Sequence, residues 1–157
     1  KGFVNAFPLS LYLIISVFLI IKSYSNMSFL AKLEIDGEVL NVLEFQCTLG
    51  QDTDKSGKPS ADPAGGKIRI VVESTKSTML FDWMVSNSQT KNGKLTFYRR
   101  DAISKMRELQ FKEAYCIRYD ELFVAYNTMS MKIEIVVSAK EINMNGSQFA
   151  RNWPLKF

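Results

Sequence analysis

The sequence predicts a mainly β fold, an antiparallel sandwich or closed barrel with one flanking α-helix. Three observations lead there. From Phe29 onward, apolar residues recur at every second position over most of the chain, which is the period of a half-buried antiparallel strand. One stretch alone, Thr75 to Ser88, changes to a helical period. Strands and helices never alternate as a parallel sheet would require. At 157 residues the chain makes one domain with room for a sizeable core.

In order, Phe29, Ala31, Leu33 and Ile35 point one way, with Lys32 and Glu34 opposite. Asp36-Gly37 follows, a dipeptide suited to a two-residue type I′ hairpin turn because both central residues need positive φ. The return strand alternates through Val39, Leu43, Phe45, Cys47 and Leu49. After a long polar interval, Ile68, Ile70 and Val72 form a third strand against Lys67, Arg69 and Glu73. The helix places Leu80, Trp83 and Met84 on its inner side with Phe81 and Val85 beside them. Thr75 or Ser77 caps it, and Asn87 to Gly93 ends it. Strands resume at Leu95 and Phe97, turn through Arg100-Asp101, and run from Met106 to Phe123. Leu109, Phe111, Tyr115, Ile117 and Tyr119 share odd parity, with Lys112 and Arg118 opposite. Glu113 interrupts that row, so a bulge is expected near Glu113-Ala114. Met131, Ile133, Ile135, Val137 and Ala139 make the last long strand, and Phe149 and Trp153 anchor the tail.

Composition excludes several classes of chemistry. The chain has no histidine, which removes the Ser-His-Asp and Cys-His nucleophiles and the commonest general base and metal ligand. Twenty Lys and Arg stand against 16 Asp and Glu, interleaved along the chain, so no basic face for nucleic acid is expected. Cys47 and Cys116 lie in predicted strands and read as small buried hydrophobes, with a disulfide between them left open. No catalytic residue, cofactor or metal site is expected.

Residues 1–26 form a separate hydrophobic segment, uncharged from Phe3 to Ile21. Three readings compete: a membrane-spanning helix, a signal peptide cleaved after Ser23-x-Ser25, or an upstream extension through a misplaced start before Met27. The last is preferred, because Met27-Ser28 leads straight into a strand. The working domain is then 27–157.

The interval from Gly50 to Gly66 holds no apolar side chain larger than alanine or proline, so it cannot bury itself. A loop of this length between adjacent strands is functional or disordered. Asp52-x-Asp54-x-Ser56-Gly57 imitates the opening of an EF-hand, but Pro63 stands where the bidentate Glu belongs. Calcium is therefore rejected.

From Met27 to Pro154 the chain resembles the Hcp (TssD) tube proteins of type VI secretion, in their Bacteroidetes form. The resemblance rests on Met27-Ser28-Phe29-x-Ala31-Lys32-Leu33, Asn41-Val42-Leu43, Gln51-x-Thr53-Asp54-x-x-Gly57-Lys58-Pro59-Ser60 and Gly65-Gly66-x-Ile68. It continues through Trp83-Met84, Phe97-x-Arg99-Arg100-Asp101, Leu109-x-Phe111-x-x-Ala114-Tyr115, Tyr119-x-Glu121-x-Phe123, Ser138-Ala139-Lys140-x-Ile142 and Asn152-Trp153-Pro154. Lys58 stands where the family often has Arg, and Thr128 where it usually has Pro. Residues before Met27 and the final Leu155, Lys156 and Phe157 have no family counterpart.

The resemblance implies a β-barrel with one helix whose copies close into hexameric rings and stack into a tube. Its partners would be the sheath, a VgrG spike and effector cargo, with assembly in the cytoplasm followed by secretion. The polar loop is then expected to join one ring to the next. Gln51, Asp52, Thr53, Asp54, Lys55, Gly57, Lys58, Pro59 and Ser60 are its expected contact residues, with Asp52, Asp54, Lys55 and Lys58 supplying charge. An exported or membrane-anchored barrel that binds a small ligand is the alternative, motivated by Phe3 to Ile21.

Overall fold

The structure, a computed structural model, describes residues 29–99, 104–126 and 131–153. The N-terminal segment 1–26, the Arg100-Asp101 turn, Thr128 and the chain after Trp153 lie outside the described residues. The described chain forms eight strands and one helix. These are β1 (Ala31–Ile35), β2 (Glu38–Gly50), β3 (Ala64–Glu73), α1 (Met79–Val85), β4 (Lys91–Tyr98), β5 (Lys105–Phe123), β6 (Met131–Ser138), β7 (Glu141–Met144) and β8 (Ser147–Ala150).

Every strand pairing is antiparallel, and the pairings close on themselves through β1, β2, β3, β6, β5, β4 and back to β1. This is the predicted barrel. The first hairpin is tight, with Ile35 opposite Glu38 across Asp36 and Gly37 at φ 48° and 80°. Lys91, almost wholly buried, forms an ion pair with Asp36 and so ties this turn to the start of β4.

Two long strands make closure possible. The first half of β5 pairs with β4 and β7, the second half with β6. The change falls at Glu113, whose φ of 46° marks the expected bulge. In the same way β2 leaves β1 after Asn41 and follows β3 from Val42, with a register shift between Val42 and Glu44. Each irregularity reverses side-chain parity, and the sequence-based alternation fails there. Val39 is exposed while Leu40 is buried; beyond the shift, Phe45 and Cys47 pack inward. In β5, Ala114 and Cys116 replace the expected Tyr115 and Ile117 in the core, and a second shift before Arg118 brings Tyr119 back to it.

The core is Leu33, Ile35, Leu40, Ile68, Ile70, Val72, Leu95, Leu109, Phe111, Ile133, Ile135 and Val137, joined by Leu80 and Trp83 from the helix. Burying a side chain of the size of Phe111 contributes ~1.5–3 kcal/mol. Its ring lies over Gly93, directly opposite in β4, where a Cβ would come within 2.2 Å of the ring. The helix is shorter than its periodic stretch. Its N-cap Thr78 makes no side-chain cap bond to the backbone, while Ser77 Oγ accepts from the Met79 N–H at 3.3 Å. Leu80 and Trp83 face in as expected, but Phe81 and Val85 face out. Trp83 Nε1 donates to the Gln89 carbonyl at 3.2 Å, satisfying its one polar atom.

The C-terminal region is anchored by Phe149 and Trp153 as expected, but it holds more regular structure than the sequence reading gave it. β7 and β8 form a further hairpin about Asn145-Gly146, both at positive φ. Because β7 follows β6 along the same flank of β5, the two act as one bent strand opposite the Glu113 bulge. Phe149 packs against the core and Trp153 lies against Tyr115, ring centroids 5.5 Å apart.

Candidate functional site

The polar loop between β2 and β3 folds on itself. Thr53 and Pro59 form a β-bridge, flanked by the Asp54 N–H donating to the Lys58 carbonyl at 2.8 Å and the Ser60 N–H donating to Asp52 at 2.8 Å. The tip, Lys55-Ser56-Gly57, is a three-residue turn with Gly57 at φ 83°, where a Cβ would be strained. The Gly57 N–H closes it by donating to the Asp54 carbonyl at 3.0 Å.

Asp54 is the hub. Its Oδ1 accepts the Ser56 N–H at 2.8 Å, the Ser56 hydroxyl at 2.7 Å and the Lys58 N–H at 3.0 Å. The Ser56 hydroxyl bond, followed by those from the Lys58 and Ser56 backbone, holds its carboxyl below the ordinary carboxylate range. This is the reason the Asp-x-Ser-Gly stretch resembles a calcium loop: the same oxygen accepts the loop's own donors. Gln51 Nε2 reaches the Ala61 carbonyl at 3.4 Å. All nine residues expected to make contact lie together in this exposed knuckle. Asp54 stays exposed, with its Oδ1 taken by the loop's own donors. Lys55 and Lys58 make no side-chain hydrogen bond or ion pair among the described residues.

Two strand edges are open. Residues 44–50 of β2 pair only with β3, and residues 115–123 of β5 pair only with β6. They bound a four-stranded sheet in the order β2, β3, β6, β5. Its outer face carries charges in matched pairs: Arg69 with Glu44 at 2.9 Å and with Glu134, and Arg118 with Asp120. The hydrogen bond from Arg69 keeps the Glu134 carboxyl below its usual range. Beside the β5 edge, Phe81 of the helix meets Tyr119 edge-on at 5.6 Å. Tyr119 is pushed up to about 12, first by burial and then by donating its hydroxyl to Glu121 at 3.0 Å.

Leu122, Phe123, Tyr126 and Met131 form an exposed apolar end where β5 meets β6. Sequence reasoning missed it, although Leu122-Phe123 puts two consecutive apolar residues on opposite faces of one strand, and only one face can be buried.

Cys47 and Cys116 are both free. They occupy one cross-sheet row with Ile68 and Val137 between them. Three strand spacings separate them, ~14 Å, about twice the reach of a disulfide. The open question of a bridge is settled against it.

A barrel with unpaired strand edges and a self-folded polar projection defines a class: a structural protein shaped for contact with other chains. The particular family follows from comparison. The pattern describing "Hemolysin coregulated protein Hcp (TssD)" matches residues 27–154. Hcp1 from Flavobacterium johnsoniae is 39% identical, covering 78% of this chain and 99% of that one, with a TM-score of 0.74. This chain belongs to the Hcp (TssD) family. Hcp1 from Salmonella typhimurium shares the fold at 12% identity, covering 78% of this chain and 92% of that one, with a TM-score of 0.63. A type six secretion system protein does so at 14% identity, covering 78% and 90%, with a TM-score of 0.65. Among curated proteins, none matches.

Proposed function

We propose that this chain is the subunit of a type VI secretion tube. Family membership across residues 27–154 carries the reading, and the geometry supports it in two ways. First, a ring needs two different, complementary surfaces on each copy. The open edges of β2 and β5 provide such a pair on opposite sides of one sheet. Second, the knuckle projects beyond the barrel and is already ordered, so engaging a neighbour costs it little conformational entropy.

On this reading six copies close each ring, rings stack, and the knuckle from Gln51 to Ser60 joins them. The tube is assembled in the cytoplasm, enclosed by a sheath, tipped by a VgrG spike and loaded with effectors when it is expelled. The role is structural rather than catalytic. Size-exclusion chromatography and negative-stain imaging of a protein beginning at Met27 test it. Annular particles are expected; a monomer at high concentration with no rings would sink the proposal.

A further inference from the structure

We infer that Arg151 is a positioning residue for the knuckle: its guanidinium lies across a glycine hinge at the knuckle's base, so the C-terminal strands fix the direction in which the knuckle projects. The lock lies within a single chain and stands whether or not copies form a tube.

The hinge comes from the register. Thr48 pairs with Lys67 but Leu49 pairs with Gly65, which leaves Gly66 as an extra residue on β3. Gly65 and Gly66 take φ of 151° and 80°, conformations that residues with side chains rarely adopt. A Cβ on Gly65 would also stand 2.5 Å from Leu49 Cδ2 and 2.6 Å from the Thr48 carbonyl oxygen. Beyond these glycines, Gly50 and Ala64 are the last paired residues before the knuckle. The knuckle is held together by its own bridge and by Asp54, so it can change direction only as one body. Gly65 and Gly66 are the pivot for such a change.

Arg151 occupies that pivot. A Cβ on Gly66 would meet its Nε at 2.8 Å, Nη2 at 2.9 Å and Cζ at 3.0 Å. Near-equal distances to three atoms of one plane put the face of the guanidinium over the glycine. Nη1 reaches on to donate to Ser138 Oγ at 3.2 Å, and the Arg151 N–H donates to the Lys140 carbonyl at 2.8 Å. The Gly66 carbonyl in turn accepts the Ala139 N–H at 2.9 Å. The side chain thus spans from the end of β8 to Ser138 at the end of β6 and the bulge on β3. Arg69 and Arg118 are held by carboxylates. Arg151 has no carboxylate partner among the described residues, and packing on the glycine together with one hydroxyl places it. Phe149 and Trp153 fix the chain on either side, one against the core and the other against Tyr115. An anchored backbone with a planar head over a glycine makes a clamp. A lysine would bring the charge but no plane to lay on the hinge.

The test reads the knuckle's direction as a distance between two spin labels. One is attached at Lys55→Cys on the tip and the other at Val39→Cys on the exposed side of the barrel, in a Cys47→Ser chain diluted with unlabelled copies. Cys116 is buried and stays unlabelled. A narrow distribution is expected. Arg151→Ala should broaden it by about twofold or more and speed exchange of the Ala139 amide by about tenfold, while circular dichroism shows the barrel folded. Arg151→Lys should broaden it as Arg151→Ala does. Trp153→Ala, which removes the neighbouring anchor, should leave it narrow. An unchanged width in Arg151→Ala overturns the inference, and so does a lysine that restores the parent width. Equal broadening by Trp153→Ala overturns it too, because the effect would then belong to tail packing in general.

Discussion

Gly93→Ala probes barrel closure at its tightest point. Gly93 and Phe111 face each other where β4 meets β5, and an added methyl would stand 2.2 Å from Cζ and 2.8 Å from Cε1 and Cε2 of the Phe111 ring. Ordinary carbon contacts begin near ~3.5 Å, so the ring must retreat by more than an ångström. It is fully buried, so any retreat must displace the side chains packed around it. Overpacking of this kind costs ~1–3 kcal/mol. The substitution also restricts the unfolded chain, which returns ~0.4–1 kcal/mol. A net loss of about 1–2 kcal/mol follows, or about 3–8 °C in Tm for a domain of this size. Phe111→Leu alone removes the ring and leaves a void, costing ~1–2 kcal/mol. In the double variant the new methyl enters that void. The two losses should therefore fall short of adding by about 1 kcal/mol or more. Urea unfolding of the four proteins, followed by circular dichroism, measures the cycle. Strict additivity, or a Gly93→Ala protein more stable than its parent, would refute the argument that the ring requires glycine.

The remaining predictions concern ionisable and reactive groups. Asp54→Ala should speed amide exchange at Ser56 and Lys58 by removing their acceptor while leaving Tm nearly unchanged, since the knuckle lies outside the core; unchanged exchange would deny Asp54 its role as hub. Because the Asp54 carboxyl is depressed by these bonds, the order it gives is present at neutral pH and lost as pH falls through a value below the ordinary carboxylate range. Acid titration followed by the same exchange measurement checks the sign. Tyr119 is raised to about 12, so its contribution is complete below its ordinary pKa of about 10 and lost as pH rises through 12. Tyr119→Phe should flatten the alkaline loss of stability, and equal slopes for both proteins would contradict it. Cys116, buried and pushed up to about 11 mainly by that burial, should react with thiol reagents in the native state far more slowly than half-buried Cys47; equal rates would show that this part of the barrel opens readily.

The sequence by itself determined the elements whose instructions are local. Asp36-Gly37 specified its hairpin because few dipeptides tolerate two positive φ values. β1, β3 and β6 kept one parity along their pairing with neighbours, so their core residues were legible as every second position, Val71 in β3 being buried besides. Asn145-Gly146 carries the same signal as the first turn, a pair at positive φ that joins β7 to β8. Glu113 announced its bulge because a charge cannot continue a buried row. The knuckle was legible in part, since Asp-x-Ser-Gly is a turn signature as well as an imitation of a cation loop. What tertiary structure alone decided is the facing of Val39, Ile117, Phe81 and Val85. A strand's parity resets wherever it changes partner, and a short helix buries only the side its sheet can cover. The disulfide question, the open edges of β2 and β5 and the apolar end at Phe123 and Tyr126 depend on the same thing. Each is a relation between strands distant in sequence, settled by which strand lies beside which, and pairing of that kind leaves no mark on either strand read alone.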